Sequence, residues 1–399
     1  MTPAARLAAA AALLDTLDPA RPVEPQLKAW GRANRYAGSR DRRAIADQVY
    51  TVLRRWRSSA LAGGGEDGRA RVLGSLVQAD GLGVAQIEPM CSGGYGLAPL
   101  TGAERAALSA RPDWPSEAAR LDWPEWLWDA ARAVLGDDTA CELDALRQRA
   151  PVDLRVNTLK ATVGEALDAL REDGLAPERT PHPLALRLPP GAPVLTSRAW
   201  RDGMVELQDA GSQAVAEMTG AQPGETVLDY CAGGGGKTLA LAAAMANRGR
   251  LLAHDLDAAR MADLPQRARR AGVTCLTLAD RRTLDGLPGR CDRVLVDAPC
   301  SGSGSWRRDP AGKWRLTPDT LAALTRMQDG ALDAAARYVR PGGTLTYATC
   351  SILTEENEAR VAAFLGRHPD YAAGPTLRLH PARDGCDGFF AARLTLTAC

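Results

Sequence analysis

Apolar residues recur at helical spacing through the first part of the chain. Alanine and leucine dominate Ala4–Leu17, and Pro19 and Pro22 end this stretch. A later segment, Arg43–Trp56, repeats apolar residues three and four positions apart. The apolar residues of that segment are Ile45, Val49, Val52, Leu53 and Trp56. The pattern predicts three helices within residues 1–57 and an all-helical domain over residues 1–115.

The alanine-rich start lacks a cleavage site, so we expect a helix there and not a signal peptide.

A different pattern follows Pro112–Pro124, a proline-rich stretch that resembles a linker. Three tryptophans open a helical stretch that ends near Arg149, and we expect these side chains to lie in the core. Apolar and polar residues then alternate, which predicts short strands around one helix. The tryptophans are Trp123, Trp126 and Trp128, the predicted strands are Val152–Val156, Leu184–Leu188 and Val194–Leu195, and the predicted helix is Thr162–Asp173. We therefore expect a small α/β unit over residues 120–219.

From about Ala221 apolar strands alternate with helical segments. The predicted strands are Thr226–Tyr230, Arg250–Asp255, Cys275–Leu278, Arg293–Asp297 and Thr344–Ala348, and the predicted helices are Thr238–Ala246, Ala258–Ala271 and Leu321–Val339. This alternation predicts an α/β fold with a doubly wound, mostly parallel, Rossmann-like sheet over residues 220–399. Ligands bind such sheets at the carboxyl ends of the strands, so the chemistry of the protein should lie there.

Composition excludes several classes of protein. The chain has 399 residues and a net charge of +1, so no global positive field attracts nucleic acid. It contains no run of 18 apolar residues, and we expect no membrane-spanning helix. The nine cysteines are dispersed, without a C-x-x-C pair, which disfavours a disulfide framework and a zinc site. We expect a cytoplasmic monomer that needs no metal.

Positive charge is nevertheless concentrated locally. Residues 32–57 contain eight arginines and two aspartates, and Arg40, Arg42 and Arg43 lie within six residues of one another. These arginines are either a solvated helix face or contacts to RNA phosphates, for which arginine is well suited. The sequence leaves both interpretations open.

A glycine-rich loop connects the first predicted strand of the sheet to the following helix. Its residues are Cys231, Ala232, Gly233, Gly234, Gly235, Gly236, Lys237 and Thr238. Such a loop lets a ligand approach the backbone, and the helix N-terminus offers free N–H groups. The end of the loop fits a nucleotide-binding P-loop, although Cys231 stands where that motif has its first glycine. The alternative is the nucleoside pocket of an S-adenosylmethionine-dependent methyltransferase.

Three carboxylates favour the second alternative. Asp229, Asp255 and Asp280 each lie at the end of a predicted strand. An acid at the end of the second strand accepts hydrogen bonds from ribose hydroxyls in related dinucleotide folds, which predicts this role for Asp255. Asp280 is then placed to contact the adenine amino group. The three strand-end acids together favour the nucleoside pocket over the P-loop.

Two cysteines also arrive at this edge of the sheet. Cys300 follows Asp297 in Asp297–Gly304, and Cys350 lies in Thr349–Ser351. Cysteine is usually a small buried apolar residue, but these two are flanked by serine and glycine in turn-like sequence. We therefore expect both to be functional.

These segments resemble the RNA 5-methylcytosine methyltransferases of the Sun/RsmB type. The family loop D-x-C-A-A-P-G-G-K-T is matched from Asp229 to Thr238, except that Gly233 and Gly234 replace its Ala-Pro. Its D-A-P-C-S-G is matched at Asp297–Gly302, and its T-C-S at Thr349–Ser351. Weaker similarities cover Arg155–Thr158, Gly203–Asp209, Gly388–Phe390 and the N-terminal helices, which resemble a NusB-like RNA-binding domain.

The resemblance implies a mechanism. Cys350 is the nucleophile that adds to carbon 6 of cytosine, Cys300 assists its release, and Asp297 hydrogen-bonds the ring nitrogen and borders the cofactor. S-adenosylmethionine is the implied cofactor, and the small α/β unit is implied to bind RNA. The implied substrate is RNA, with small-subunit ribosomal RNA favoured and tRNA as the nearest variant. Arg307, Arg308 and Lys313, near two tryptophans, are expected to grip phosphates. The rival hypotheses are a P-loop NTPase and a non-catalytic RNA-binding protein.

Overall fold

The computed structural model describes residues 1–91 and 93–398 and divides the chain into two compact units. Unit 1 consists of residues 1–149 together with residues 306–316, and unit 2 contains the rest. The chain therefore leaves unit 2 after Ser305, contributes a short segment to unit 1, and returns at Thr317. The three domains expected from the sequence, with boundaries near residues 115–120 and 219–220, remain a prediction.

The helices of the described residues are numbered in chain order. They are α1 (Pro3–Thr16), α2 (Val23–Ala33), α3 (Ser39–Arg54), α4 (Trp56–Gly63), α5 (Gly68–Gln78), α6 (Val84–Ile87), α7 (Gly102–Ser109), α8 (Glu117–Arg120), α9 (Trp128–Leu135), α10 (Thr139–Ala145), α11 (Val163–Glu172), α12 (Arg198–Arg201), α13 (Ala210–Met218), α14 (Gly236–Ala244), α15 (Leu264–Ala271), α16 (Arg281–Asp285), α17 (Gly312–Arg315), α18 (Pro318–Ala336) and α19 (Glu358–Arg367).

The strands are numbered in the same way. They are β1 (Val152–Val156), β2 (Glu178–Arg179), β3 (Ala185–Leu188), β4 (Val205–Leu207), β5 (Thr226–Asp229), β6 (Arg250–Ala253), β7 (Leu276–Leu278), β8 (Cys291–Asp297), β9 (Val339–Thr349), β10 (Tyr371–Leu379) and β11 (Phe389–Leu396).

Unit 1 is helical, as the apolar pattern predicts. Helix α1 begins at Pro3 because the Thr2 hydroxyl caps it and accepts from the Ala5 N–H. The residues at helical spacing in α3 lie in the core, where Ile45, Val49, Val52 and Leu53 are at most 1% exposed. Sequence analysis did not predict α4 and α5. The two helices lie so close together that a Cβ atom on Gly74 would be 1.9 Å from the Ser59 carbonyl oxygen. Small residues therefore stand at their contact, where large apolar side chains are usual.

Part of the segment Pro112–Pro124, which was expected to be a linker, is folded and packed. Helix α8 lies within it, and the Asp122 side chain, which is fully buried, accepts from the N–H groups of Arg57 and Ser58. Trp123 is buried, as expected, whereas Trp126 is exposed. The linker prediction is therefore wrong for this part of the chain, because a buried carboxylate there caps the backbone of α4.

Unit 2 contains the small α/β unit as a four-stranded antiparallel sheet in the order β2-β3-β1-β4. Apolar residues of β1, β3 and α11 form its core, including Leu154, Leu170 and Leu186. The predicted strand at Val194–Leu195 is wrong, because Val194–Thr196 forms a 3-10 turn directly after Pro193.

The second sheet of unit 2 has seven strands in the order β10-β11-β9-β8-β5-β6-β7. Strands β7, β6, β5, β8 and β9 pair in parallel, and β11 is antiparallel to β9. The chain runs from β5 to β6 on one side and later places β8 on the other side of β5. This reversal of strand order opens a crevice at the carboxyl ends of β5 and β8, where ligands bind in such folds. The Rossmann-like sheet predicted from the sequence is confirmed.

Candidate active site

The glycine-rich loop turns sharply between β5 and α14. Gly233 and Gly235 have positive φ angles of 51° and 81°. At Gly235 a Cβ atom would lie 2.2 Å from the Leu264 side chain, and the positive φ angle would strain any other residue, so the position favours glycine. At Gly233, where the Sun/RsmB-type pattern has alanine, glycine adopts the left-handed conformation without strain.

Asp255 fixes this loop from the end of β6. Its carboxylate is 6% exposed and accepts from the Gly233 N–H at 2.9 Å and from the Asp257 N–H at 3.0 Å. Arg260 adds an ion pair at 3.2 Å. The same residue borders the neighbouring cavity, so it is placed both to hold the loop and to meet a ligand.

A cavity of about 410 Å³ lies beside the loop, within the size range of small-molecule sites. The residues that line it are Tyr230, Cys231, His254, Asp255, Leu256, Asp257, Arg260, Pro299, Met327, Gly330 and Ala331. Asp280 does not line this cavity. It is exposed and caps α16, accepting from the N–H and hydroxyl of Thr283. The contact between Asp280 and adenine expected from the sequence remains a prediction.

Asp229 is buried at the floor of the loop. One carboxylate oxygen accepts from the Thr238 hydroxyl at 2.7 Å, and the other, Oδ1, has no hydrogen-bond partner among the described residues. Burial raises the pKa of Asp229 to about 7, against the opposing effect of the Thr238 hydrogen bond. A buried acceptor without a partner is costly unless a ligand satisfies it. This acceptor, the glycine cradle and the adjoining cavity fit a nucleoside cofactor with an amino-acid tail.

Lys237 was expected to contact the cofactor, and the structure gives it a partner from β8. Its Nζ atom donates to Asp297 Oδ2 at 2.7 Å. The Lys237 side chain is buried, which disfavours its charge, but Asp297 and nearby acidic groups outweigh burial and raise the pKa of Lys237. The sequence placed both residues at the sheet edge without showing that they form an ion pair.

The two cysteines are in contact. The Sγ atoms of Cys300 and Cys350 lie 3.4 Å apart, and both side chains are half-buried. The hydrogen bond with Cys300 is the largest influence on Cys350 and lowers the pKa of its thiol. Burial and Asp297 oppose this effect, and Ser305 and Lys237 add to it. The same contact, together with burial, raises the pKa of Cys300. The pair is thus polarised, because the contact lowers the pKa of the Cys350 thiol and raises that of the Cys300 thiol.

Sequence analysis missed a buried polar layer behind the cysteines. Gln328 of α18 donates to both Pro299 and Glu356, and all of these residues lie in unit 2. Glu356 and Asn357 are fully buried just after Cys350 in the chain. The sequence offered one signal for them, since the polar run Glu355–Asn357 follows an apolar strand.

The arginines expected to contact RNA have different surroundings. Arg40, Arg42 and Arg43 are exposed on unit 1, and the last two line an open groove of about 630 Å³. Lys28, Arg32 and Tyr50 line the same groove. This geometry is consistent with the proposed RNA contact, which remains a prediction.

The basic segment 306–316 requires a correction. Lys313 is 4% exposed, donates from Nζ to the Arg54 carbonyl oxygen at 2.9 Å, and burial lowers its pKa to about 7. Arg307 is also buried, and its carbonyl oxygen accepts from Arg54 Nε at 2.9 Å. The sequence predicted that both side chains grip phosphates, but the segment packs into the helices of unit 1. Only Arg308 of the three predicted residues is exposed.

The described residues, 1–91 and 93–398, offer no group of three or more histidine, cysteine or acidic side chains arranged to bind a metal ion. Within the same residues, every helix is too short or too polar to cross a lipid bilayer.

Two family models match the chain. Residues 217–395 match the model described as 16S rRNA methyltransferase RsmB/F, and residues 123–195 match a ferredoxin-like domain of RsmF/B-like methyltransferases. The match of the second model supports the small α/β unit as a recurring part of these enzymes.

Individual relatives agree with these models. The chain is 35% identical to ribosomal RNA small subunit methyltransferase B of Cronobacter sakazakii, over 71% of this chain and 68% of that protein. Its identity to the protein of the same name from Sodalis glossinidius is 36%, covering 74% and 71% of the two chains. The crystal structure of PH0851 superimposes with a TM-score of 0.78 and 27% identity, covering 99% of each chain. By this similarity the chain belongs to the RsmB/F family of 16S rRNA methyltransferases, whose cofactor is S-adenosylmethionine.

Proposed function

We propose that this protein methylates carbon 5 of a cytosine in small-subunit ribosomal RNA through a covalent cysteine–cytosine intermediate. The observation that carries this proposal is the polarised pair of Cys350 and Cys300, 3.4 Å apart and close to the Lys237–Asp297 ion pair. The two relatives described above are named as methyltransferases of small-subunit ribosomal RNA, which supports this substrate over tRNA. We infer a monomeric cytoplasmic enzyme.

The chemistry explains why a nucleophile is needed. Carbon 5 of cytosine is too weak a nucleophile to take a methyl group unaided. The Cys350 thiolate adds to carbon 6, forming an S–C6 bond and pushing electrons towards carbon 5. Cys300, Ser305 and Lys237 lower the pKa of the Cys350 thiol, against the opposing effects of burial and Asp297, and so favour its thiolate form.

Asp297 is placed to stabilise the activated base. Its carboxylate is fixed by Lys237 at 2.7 Å and lies at the end of β8, near Cys350. We infer that the Asp297 side chain, in its protonated form, donates a hydrogen bond to the ring nitrogen of cytosine, where negative charge develops as the thiolate adds. A preorganised group of this kind needs no rearrangement during the reaction. Lys237 keeps the Asp297 side chain in place.

The glycine-rich loop and Asp255 would hold the cofactor, and the cavity beside them would take its nucleoside. S-adenosylmethionine supplies an electrophilic methyl group there. The target base must leave its stack to expose carbon 6, so single-stranded or remodelled RNA is the expected form of the substrate.

Release completes the reaction. After methylation the carbon-5 proton is lost to water, the S–C6 bond breaks, and its electron pair returns to Cys350 Sγ. The thiol of Cys300 lies within hydrogen-bond distance of that atom and stabilises the departing thiolate. The rivals considered from the sequence lose support, since family membership disfavours a P-loop NTPase and the intact cysteine pair disfavours a non-catalytic protein.

The decisive test is bisulfite mapping of ribosomal RNA from cells with and without the gene. We expect one cytosine of the small-subunit rRNA to lose its methyl group when the gene is deleted. Purified protein with S-adenosylmethionine should restore that mark on rRNA from the deletion strain. An unchanged rRNA pattern with a lost tRNA mark would reassign the substrate, and the absence of any change would overturn the proposal.

The cofactor site gives a separate prediction. Asp255→Ala removes both the brace on Gly233 and the acceptor in the cavity, so S-adenosylmethionine binding should weaken by about 1.5–3 kcal/mol. Isothermal titration calorimetry measures this directly. Asp263→Ala, which removes an exposed acid a short distance along the chain, serves as the control and should bind normally. Equal affinity in both variants would remove Asp255 from the pocket.

The groove of unit 1 gives another prediction. Replacing Arg40, Arg42 and Arg43 with alanine should weaken RNA binding and flatten its salt dependence, by about 0.7 in slope per lost contact on single strands. Filter-binding titrations over a range of salt concentrations measure the slope. A variant lacking Arg21, Arg105 and Arg111 removes the same charge from unit 1 outside the groove. Identical slopes in the two variants would show that the three arginines form a solvated face.

A further inference from the structure

The turns that carry the two cysteines are held by two consecutive residues. Glu356 ends a short 3-10 turn, Thr354–Glu356, and Asn357 follows it. Both side chains are fully buried and contact residues next to the cysteines in the chain. Neither is placed to touch a base or a cofactor through the contacts described below, so any role must be exerted through the cysteines.

Glu356 holds the turn of Cys300. One carboxylate oxygen accepts from the Ser301 N–H at 2.8 Å, and the other accepts from the Ser301 hydroxyl. Gln328, also fully buried, donates to Glu356 at 3.0 Å and to the Pro299 carbonyl oxygen at 2.9 Å. The residues before and after Cys300 are therefore tied to one buried carboxylate and its amide partner.

Asn357 holds the turn of Cys350 in the same way. Its Oδ1 atom accepts from the Thr349 hydroxyl at 2.5 Å, and its Nδ2 atom donates to the Ser351 carbonyl oxygen at 2.9 Å. A single side chain thus spans the residues before and after Cys350. All of these groups are buried, so each bond that is lost leaves a polar atom without water to replace its partner.

Glu356 and Asn357 are both held by a hydrogen bond from β9. The hydroxyl of Tyr347, near the end of β9, donates to the Glu356 carbonyl oxygen at 2.6 Å. Because Glu356 and Asn357 are neighbours in the chain, this hydrogen bond holds the backbone of both residues. The two turns that carry the sulfur atoms are therefore bonded to adjacent residues.

We propose that Glu356 and Asn357 are positioning residues that set the contact between Cys300 and Cys350, Glu356 acting through Cys300 on release of the product and Asn357 acting through Cys350 on formation of the S–C6 bond. The kinetic part of this inference rests on the proposed function. The effect on the reactivity of the two thiols does not rest on the proposed function, since it can be measured without RNA.

The charge of Glu356 adds to its geometric effect. It is one of the groups that raise the pKa of Cys300, after the Cys350 contact and burial. A protonated Cys300 is what a departing Cys350 thiolate needs as its hydrogen-bond donor. Loss of Glu356 therefore displaces the donor and weakens its hold on the proton.

The first measurement follows the two thiols alone. Cys350 alkylation by iodoacetamide is quantified by peptide mass spectrometry across a pH range in wild type, Asn357→Ala, Glu356→Ala and Glu356→Gln. Because the contact with Cys300 lowers the Cys350 pKa, a displaced contact should shift the alkylation midpoint of Cys350 upward in both alanine variants. Glu356→Gln keeps an acceptor for the Ser301 N–H and should shift it less. Glu355→Gln, which changes an exposed neighbour, should match wild type.

The second measurement separates the two roles with RNA and S-adenosylmethionine. Asn357→Ala should slow formation of the covalent adduct by about 10²-fold, as misplacement of a reacting group by about 1 Å can do. Glu356→Gln and Glu356→Ala should form the adduct and accumulate it on denaturing gels, as loss of Cys300 would. Thermal unfolding and cofactor titration identify a variant that fails to fold. If Glu356→Ala does not fold, the test uses Glu356→Gln in its place.

The outcomes are distinct. Unchanged alkylation profiles in the folded Glu356 and Asn357 variants would overturn the positioning role, whatever the RNA result. Shifted profiles without any adduct or methylation in wild type would support the positioning role and overturn the proposed function. Accumulation of adduct in Asn357→Ala but not in the Glu356 variants would reverse the assignment of the two roles.

Discussion

Cys350→Ala is expected to abolish both methylation and covalent capture of RNA, whereas Cys300→Ala is expected to trap the RNA on the protein. The first variant lacks the atom that forms the S–C6 bond. The second still attacks and methylates, because Cys350 remains, but it lacks the thiol 3.4 Å away that stabilises the leaving sulfur. The trapped species should survive denaturing electrophoresis. This difference follows from splitting one difficult step into two around a covalent intermediate.

Two controls sharpen this experiment. The double variant should form no adduct, since the bond never forms, and Cys275→Ala, which removes another half-buried thiol of unit 2, should behave as wild type. An adduct in Cys350→Ala that is absent from Cys300→Ala would reverse the assignment. Full activity in both single variants would exclude the covalent mechanism for this protein.

Replacing Lys237 with methionine is expected to slow the chemical step by about 10²–10³-fold, the range measured when one preorganised electrostatic group is removed from a site. The variant keeps the length of the side chain but loses its charge. Asp297 is then unpaired, and Cys350 loses one of the groups that lower its pKa. Single-turnover methylation at saturating cofactor measures the effect.

The same variant distinguishes two roles for this lysine. If Lys237 acts on Asp297 and Cys350, cofactor affinity measured by calorimetry should change little. Lys237→Arg, which retains a positive charge, should then lose less activity than Lys237→Met. A large loss of affinity with a normal single-turnover rate at saturating cofactor would instead support the cofactor contact expected from the sequence.

The sequence predicted the parallel sheet well because its strands are short apolar runs separated by helices. Strands β5, β6, β8 and β9 all overlap the predicted segments, and the acids and cysteines that follow them meet at one edge. The helices α4 and α5 could not be found in this way. Their contact depends on glycine and serine, which allow close approach of two backbones but leave no apolar period.

The position of a candidate residue was predictable where it lies at or just after the end of a predicted strand, as for Cys350 after β9 and Asp255 after β6, and the roles of both residues stay predictions. A contact with a partner distant in the chain was not predictable. Lys237 pairs with Asp297, 60 residues away, and nothing in the local sequence indicates this ion pair. Lys313 shows the opposite failure. A lysine between tryptophans resembles an RNA contact, but burial against backbone carbonyls is equally compatible with that pattern.

The path of the chain has a consequence for modularity. The segment 306–316 belongs to unit 1, although it begins directly after the turn that carries Cys300. A protein that started at residue 150 would keep this segment and lose the helices that cover it. Trp306, which is 2% exposed and has its ring 4.8 Å from the ring of Trp123, would face water, and the burial that lowers the pKa of Lys313 would be lost. Removing the helical unit would therefore expose the segment that directly follows the turn of Cys300, so a shortened protein would need different residues there.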